Sequence, residues 1–414
     1  MENMIRKLRM TLIFAVCVIC LIGCGKKKPK EETGEETSTP GTGVIFQDNG
    51  TYTEKYVLFR PEGSNQPLHI YDVETGLLSI YCFDPGCEHK PEKRSKDGET
   101  VLEKGCPAYD YITYPIYIKE NTMYFFHDNC LWSADVTGQN RKEITRIKRP
   151  VYTSNALYTD EALYLTYTTP YEWILHEENG TSEWIAGEMK EKQEAGVLRI
   201  PYSGEGEQII FKAEDSYDMQ VVLPWYHDGC VCFQVQGRDI PFQDIADYAA
   251  SVGDDWQALM NYDRQHSYTE AFDYVIATGE VKSFAYEKPS RGGFYFFRAA
   301  YGLIQESGKL ELHKYSGELI GETEMRFGGI VSDQSIIGYN MDTGNAVMLS
   351  EETGKMMKTS PLTYDDFTAD VIVGDTYYGH SLTDGGSYKR AYMKAEDFWA
   401  GKKDKIVFYG EKEQ

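Results

Sequence analysis

Short runs in which apolar and polar residues alternate dominate the chain from Lys55 onward. The apolar positions are rich in Tyr, Phe, Val and Ile, and Gly, Asp and Asn separate the runs, which is typical of many short antiparallel strands. Turns of the Thr-Gly or Ser-Gly type recur between strands and end at Gly76, Gly138, Gly204, Gly279, Gly317 and Gly354, with Gly401 as a candidate seventh. The late turns, from 279 to 317 and from 317 to 354, are 38 and 37 residues apart, close to the roughly 40-residue repeat of a propeller blade.

Grouping the runs into units of four strands predicts an all-β fold consisting of a single β-propeller. The units begin near Val44, Tyr114, Val151, Met219, Gly293, Gly329 and Ala369. This count favours seven blades, with six or eight as alternatives. A propeller closes a long series of strands into a ring and leaves only short exposed edges. A pair of β-sandwich domains is the other architecture considered, but no shift in composition marks a boundary within residues 44–414.

Two insertions interrupt the strand pattern. Residues 170–193 carry aromatic residues on both sides of Asn179-Gly180, which predicts a β-hairpin. In residues 240–263 apolar residues recur at helical spacing, which predicts one or two short helices. These apolar positions are Ile245, Tyr248, Ala249, Val252, Trp256, Leu259 and Met260. We expect the apolar faces of the helices to pack against the propeller rather than to bind a ligand.

Three long segments are predicted to meet on one face of the ring. In a propeller, the connection between the second and third strands of a blade lies on the same face as the crossover to the next blade. Both insertions fall between second and third strands, and residues 83–111 form the crossover from the first blade to the second. We call this side the decorated face, and it is the predicted binding surface because loops on a rigid scaffold commonly carry function.

Aromatic residues in the two insertions are the candidates for contacting a ligand on that face. They are Tyr171, Trp173, Trp184 and Trp256. Such side chains stack on sugar rings or hold peptides, and the alternative is that they fill space between blades.

The first residues have the features of an export signal. Three basic residues precede an apolar run over residues 11–22. The end of this run overlaps the segment Leu21-Ile22-Gly23-Cys24. This arrangement resembles the signal peptide and lipobox of bacterial lipoproteins. The resemblance implies removal of residues 1–23 and attachment of lipid to Cys24, which would anchor the chain on the extracytoplasmic side of the cell membrane. An uncleaved anchor is the alternative, although the run is shorter than the roughly 20 residues of a transmembrane helix.

Composition defines the tether and excludes one class of partner. Residues 25–43 contain no aliphatic or aromatic side chain, so residues 24–43 are predicted to form a disordered, lipidated tether. Removing residues 1–23 leaves 42 minus 3 basic and 65 minus 1 acidic residues, a net charge of -25. A field of this sign repels phosphate backbones, so nucleic acid is not an expected partner.

A compact group of soft ligands lies in the first crossover loop. Cys82, Cys87, His89 and Cys106 fall within 25 residues, and three thiolates with one imidazole match the four nitrogen or sulfur ligands of structural zinc. A disulfide among the three cysteines and unbonded thiols are the alternatives, because an exported chain permits both. A zinc ion held by four protein ligands has no open position for substrate, so we expect a structural role rather than a catalytic one.

The other cysteines and two histidine motifs have structural interpretations. Cys230 and Cys232 are two residues apart on a predicted strand, so their side chains share a face and are poorly placed to bond to each other. Cys130 is a candidate partner for one of them, and burial as unbonded thiols is the alternative. His127-Asp-Asn and His227-Asp-Gly are interpreted as hairpin turns.

The ligand segment also resembles a motif of cell-surface lipoproteins from Gram-positive anaerobic gut bacteria, Cys-x-Asp-Pro-x-Cys-x-His followed by Cys-Pro. The matching residues are Cys82, Asp84, Pro85, Cys87, His89, Cys106 and Pro107. The resemblance implies a propeller body related in style to the TolB type, and it implies no particular activity. The segment from Lys90 to Gly105 departs from the pattern by being longer and more charged.

These features predict a membrane-anchored lipoprotein that acts as a non-enzymatic binding propeller for an unknown glycan, peptide or protein. The sequence lacks G-x-S-x-G, H-E-x-x-H, the P-loop and the EF-hand motif. The alternative is a glycan-active hydrolase or lyase that uses the decorated face, because such propeller enzymes gather carboxylates from scattered strands. No catalytic residue is assigned from the sequence.

Overall fold

The computed structural model describes most of the chain from residue 44 onward. The described residues are 44–45, 50–52, 56–60, 66–82, 84, 86–95, 101–103, 105–109, 116–127, 129–149, 151–168, 173–178, 181–186, 193–290, 294–297, 299–305, 309–323, 325–332, 335–340, 343–383 and 385–409. The signal segment, Cys24 and the tether lie outside this range. Within it, no helix is long and apolar enough to cross a membrane.

Seven antiparallel units of four strands follow one another along the chain, which confirms the predicted seven-bladed propeller. The first strand, β1, is Val44–Ile45, and blade 1 contains β2 Gly50–Tyr52, β3 Tyr56–Phe59, β4 His69–Asp72 and β5 Leu77–Ile80. The crossover loop carries β6 Lys93–Arg94 and β7 Val101–Glu103. Blade 2 contains β8 Tyr117–Lys119, β9 Thr122–His127, β10 Cys130–Asp135 and β11 Lys142–Arg146.

Blades 3 and 4 share one strand and carry the insertions. Blade 3 contains β12 Val151–Tyr158 and β13 Ala162–Thr168, then the arm strands β14 Trp173–Glu178 and β15 Thr181–Ala186, then β16 Gln193–Pro201. The 20-residue β17, Gln208–His227, pairs with β16 up to Ser216 and with the next strand from Tyr217. Blade 4 continues with β18 Cys230–Arg238, helices α1 Phe242–Val252 and α2 Trp256–His266, β19 Ser267–Val275 and β20 Glu280–Glu287.

The last three blades have short connections. Blade 5 contains β21 Phe294–Phe296, β22 Ala300–Ile304, β23 Leu310–Lys314 and β24 Leu319–Thr323, and blade 6 contains β25 Met325–Ser332, β26 Ser335–Asn340, β27 Asn345–Ser350 and β28 Met356–Thr363. Blade 7 contains β29 Thr368–Val373, β30 Thr376–Leu382, β31 Tyr388–Lys394, helix α3 Ala395–Ala400 and β32 Val407–Phe408.

The first strand is not where the sequence pattern placed it. Blade 1 was predicted to begin near Val44, but Val44 and Ile45 pair antiparallel with Tyr158 and Leu157 of β12, the inner strand of blade 3. The alternating pattern of a strand does not specify its partner. Blade 1 therefore begins at β2, and β1 lies on the edge of the blade 3 sheet that faces the channel of the ring.

Two equivalent tyrosines join neighbouring blades. Tyr202 and Tyr315 each stand in the turn between the third and fourth strands of a blade, within the repeated Tyr-Ser-Gly sequence. Their hydroxyls donate hydrogen bonds to Thr159 O at 2.9 Å and Phe297 O at 2.6 Å, within their own blades. Their rings stack on Tyr124 at 4.0 Å and on His227 at 3.8 Å, in the preceding blades. Each tyrosine therefore fixes a turn and a blade interface together.

Blades 1 and 7 close the ring through side chains. Within the described residues each consists of four strands that follow one another in sequence, and none of these strands is exchanged between the two blades. A buried cluster of Val57, Phe59, Tyr71 and Tyr378 fills the interface, with Tyr52, Val73, Val373, Tyr392 and Tyr409 packed against it. Polar contacts accompany the aromatic packing, since Arg390 donates to the Tyr52 hydroxyl at 2.9 Å and the hydroxyls of Tyr71 and Tyr392 lie 3.2 Å apart.

The apolar sides of α1 and α2 pack mainly on each other. Ile245, Ala249 and Leu259 are buried in a small separate core, against which Ile240, Tyr248, Val252 and Tyr262 pack. Arg238 donates from Nε to Asp263 at 2.8 Å and thereby attaches the pair to β18. The expectation that these faces pack against the propeller is corrected, because two short amphipathic helices can cover each other.

Tyr409 offers a test of the ring closure. Its ring lies 4.9 Å from both Phe59 and Tyr71, whereas its buried hydroxyl has no hydrogen-bond partner among the described residues. Tyr409→Ala should lower the free energy of unfolding by about 3 kcal/mol through lost packing. Tyr409→Phe should be neutral or stabilising, because it removes an unsatisfied buried hydroxyl. Urea unfolding measures both, and a Phe variant as unstable as the Ala variant would contradict this account.

Candidate metal centre on the decorated face

The predicted ligand segment lies in the crossover from β5 to β8. The turn at residues 84–87 is closed by a hydrogen bond from Cys87 N to Asp84 O at 3.1 Å. His89 adopts a left-handed conformation with φ of 52°, which turns the chain before the β6–β7 hairpin. The segment returns at Cys106, whose N–H donates to Lys90 O at 2.8 Å. The hairpin therefore brings the last cysteine back beside the first three ligands.

All four predicted ligands come together. One ligand atom from each of Cys82, Cys87, His89 and Cys106 lies within 4.8 Å of the others. Cys106 Sγ is 3.6 Å from His89 Nδ1, and a tetrahedral ion with metal–sulfur and metal–nitrogen bonds of about 2.3 and 2.0 Å gives an edge of about 3.5 Å. The three cysteines are thiols without a disulfide. The structure thus contains a Cys/His group with the composition and spacing of a metal site.

The local environment shifts the pKa values of Cys87 and Cys106 in opposite directions. The backbone N–H of His89 points at Cys87 and lowers the pKa of that thiol, with further contributions from Cys106 and Cys82. Burial raises the pKa of Cys106 to about 12, although the N–H of Ala108 donates to its sulfur at 3.4 Å. A cation at the centre of the group would favour the thiolate form of Cys106, so metal binding and deprotonation are coupled.

The loop is fastened to the first two blades. Leu68 N, next to β4, donates to Ala108 O at 3.0 Å. From blade 2, Arg141 donates to Pro107 O at 3.4 Å and lies 5.5 Å above the ring of Phe125. The metal-site loop consequently spans the interface between blades 1 and 2.

The decorated face has the predicted topology. Residues 173–186 connect β13 to β16, and α1 and α2 connect β18 to β19, so both insertions join second and third strands. Trp173 and Trp184 lie on β14 and β15, in pairs with Ala186 and Leu175. Trp256, at the start of α2, is 39% exposed. Tyr171 lies outside the described residues.

One group of potential ligands was missed by the sequence interpretation. His227, assigned to a hairpin turn, meets Cys232 and Asp273 in the buried part of blade 4, with one ligand atom of each within 4.8 Å of the others. Cys230 and Cys232 carry no disulfide, and neither does Cys130. The sequence did contain a signal for this group. A two-residue turn follows His227 and pairs it with Cys230, and this register determines which side chains share a face of the sheet.

Comparison with known proteins identifies no family for this chain. No protein-family model matches the chain, and no curated protein matches it either. Among solved structures, a puromycin hydrolase aligns with 90% of this chain and 54% of its own at 10% identity and a TM-score of 0.49, so the chain spans about half the length of that enzyme.

Two further structures are similar over their whole length. An oligogalacturonate lyase in complex with manganese aligns over 90% of this chain and 97% of its own, with 10% identity and a TM-score of 0.45. The β-propeller domain of the Trilobed protease from Pyrococcus furiosus, described as having an open velcro topology, aligns over 90% and 100%, with 10% identity and a TM-score of 0.44. The chain is a seven-bladed antiparallel β-propeller.

Gly105 provides a test of the metal centre that leaves all four ligands in place. A Cβ at Gly105 would lie 2.3 Å from the backbone N of Glu92, so Gly105→Ala should push the two arms of the loop apart. Affinity for Co²⁺, measured by chelator competition, should fall by about tenfold or more, equivalent to about 1.4 kcal/mol. Gly321→Ala is the matched control, because its Cβ would meet nothing closer than 3.8 Å. Equal affinities in the two variants would contradict the site.

Proposed function

We propose that this protein is a lipid-anchored, extracytoplasmic binding protein whose decorated face holds a glycan, peptide or protein ligand without chemical turnover. The observation that carries the proposal is the gathering of the metal-site loop, the two-stranded arm and the two helices on one face. A rigid ring that concentrates its long segments on one side is the usual arrangement of a binding scaffold. The anchor rests on the lipobox ending at Cys24.

The direction of β1 supports an outward-facing binding surface. The strand β12 runs from the decorated face toward the opposite face, which we call the turn face because it carries the connections between first and second strands. β1 is antiparallel to β12, so it runs from the turn face toward the decorated face. Val44, the first residue of β1, therefore lies at the turn-face end of that strand. We infer from this position that a lipid on Cys24 would direct the decorated face away from the membrane.

Zinc is the ion that we assign to the group of Cys82, Cys87, His89 and Cys106. Three sulfurs and one nitrogen at tetrahedral spacing are typical of structural zinc, and four protein ligands leave no position for water or substrate. The ion would hold the crossover loop against blades 1 and 2 and shape one border of the binding surface. Elemental analysis of the protein purified under reducing conditions should find zinc, and its absence would contradict the assignment.

A glycan-active enzyme is the second candidate, favoured by one group of side chains. At the decorated end of blade 7, Asp370 is buried, with its carboxylate 3.1 Å from His380 Nδ1 and 3.6 Å from an Arg390 nitrogen. A buried carboxylate beside a histidine is a familiar acid–base pair. Glycoside hydrolysis normally also needs a second carboxylate about 5 to 10 Å away.

One assay on the purified protein distinguishes ligand binding from catalytic turnover. Affinity gel electrophoresis against a panel of neutral and acidic polysaccharides should show retardation of the wild type by at least one of them, without new reducing ends. Replacing residues 241–264 by a Gly-Ser linker should abolish retardation while the thermal transition is retained. Release of reducing ends that is lost in Asp370→Asn would instead establish the enzyme, and a panel without retardation or product would exclude glycans as the ligand.

The proposed orientation predicts unequal access to two faces on intact cells. Gln257→Cys places a thiol on α2 at the decorated face, and Thr278→Cys places one in an exposed turn of the opposite face. A bulky maleimide should label the first faster than the second, and equally fast after solubilisation in detergent. Cys24→Ala should release the protein from the membrane fraction. Faster labelling at residue 278 on cells would reverse the orientation.

A further inference from the structure

The interior of blade 4 carries a second group of metal-ligand side chains, far from the decorated face. The register pairs His227 with Cys230, and it pairs Cys232 with both Trp225 and Asp273. Paired residues on antiparallel strands project to the same side, as do residues two apart on one strand. His227, Cys232 and Asp273 therefore project from three adjacent strands toward blade 5, where the ring of Tyr315 stacks on His227 at 3.8 Å.

The three groups make direct contact in a buried setting. His227 donates from Nε2 to Asp273 Oδ1 at 2.9 Å, and the thiol of Cys232 also forms a hydrogen bond with the Asp273 carboxylate. Cys232 is 0% exposed and His227 is 7% exposed. A carboxylate shared by a buried thiol and an imidazole is costly to desolvate unless its charge is compensated.

This arrangement does not match a nucleophilic triad. In a Cys–His–Asp triad the imidazole stands between the thiol and the carboxylate, because it must take the thiol proton. Here the carboxylate stands between the thiol and the imidazole. Burial also raises the pKa of Cys232 well above its usual value, which keeps the thiol protonated and unreactive.

We propose that His227, Cys232 and Asp273 form a second site, for a divalent transition metal ion of the zinc class. One ligand atom of each lies within 4.8 Å of the other two, and nitrogen, sulfur and oxygen are all accepted by such ions. Binding would displace the thiol proton to solvent, so that one thiolate and one carboxylate balance the dication. The resulting neutral group is far less costly to bury than an isolated carboxylate.

The surroundings define the remaining coordination position. The hydroxyl of Tyr315 is directed at Phe297 O, 2.6 Å away, so it does not supply the fourth ligand. Cys230 lies on the same face of β18, and it and Asp273 influence each other electrostatically. The Cys230 sulfur is not among the ligand atoms that lie within 4.8 Å of one another, so a water molecule would complete a four-coordinate ion. Asp228 and Gly229 form the turn directly above His227, and Asp228 is exposed, which gives an ion a short path from the turn face.

The site would hold together the first three strands of blade 4 and their contact with blade 5. The residues come from β17, β18 and β19, and Tyr315 belongs to the next blade. An ion here would join strands near the turn face. An ion bound by Cys82, Cys87, His89 and Cys106 would instead lie at the decorated face, between blades 1 and 2. The two sites are independent because no residue is shared between them.

Counting bound metal tests this proposal on the full chain in detergent. After chelation under reducing conditions, titration with Co²⁺ should reach about two equivalents, with visible bands from sulfur ligation. The double variant Cys82→Ser/Cys87→Ser should retain about one equivalent, with weaker sulfur bands because at most two thiolates remain. Asp273→Asn, which preserves shape, should also lose about one equivalent while keeping the bands of the three-sulfur centre.

A matched substitution controls for general damage to the core. Cys130 is a fully buried thiol in blade 2 and belongs to neither group. Cys130→Ala should keep about two equivalents, whereas Cys232→Ala should keep about one, with near-ultraviolet circular dichroism reporting that both are folded. If the wild type binds a single equivalent that the Cys82→Ser/Cys87→Ser variant loses entirely, or if Asp273→Asn still binds two, the second site does not exist.

Discussion

Closure of the ring between blades 1 and 7 is the constraint on which the rest of the molecule depends. Every other neighbouring pair of blades is consecutive along the chain, whereas blades 1 and 7 lie at its two ends, and none of their described strands is exchanged. The joint consists of aromatic packing around Tyr71 and Tyr378, with Arg390 bonded to the Tyr52 hydroxyl. Because an open ring would expose two flat blade faces, the stability of the whole propeller rests on this apolar interface.

The decorated face and the turn face use different means to hold blades together. On the decorated side, the loop around Cys106 is held to blades 1 and 2 by hydrogen bonds to Ala108 and Pro107, and it carries the candidate metal ligands. On the turn side, Tyr202 and Tyr315 repeat one arrangement of a stacked ring and a hydrogen-bonded hydroxyl. The decorated face therefore accommodates the long inserted segments, while the tyrosine contacts of the turn face maintain the geometry of the ring.

Much of the fold could be predicted from the sequence because its signals are local. Turns such as the one ending at Gly317 mark each blade, and Cys82, Cys87 and His89 lie within eight positions, so their convergence needs little tertiary information. The group of His227 and Asp273 was missed, because 46 positions and two helices separate these residues and only the strand register unites them. The partner of β1 was also unpredictable, since two residues carry no register information.

The continuity of β17 couples the unfolding of blade 3 to that of blade 4. Its first part completes blade 3 and its second part begins blade 4, without a loop between them. The backbone of one blade thus cannot loosen here without disturbing the hydrogen-bond ladder of the next. Blades 3 and 4 therefore form a single cooperative unit within a repeat protein, where separate units would otherwise open one at a time. A pulling load that enters at β1, which is paired with blade 3, would meet this unit first.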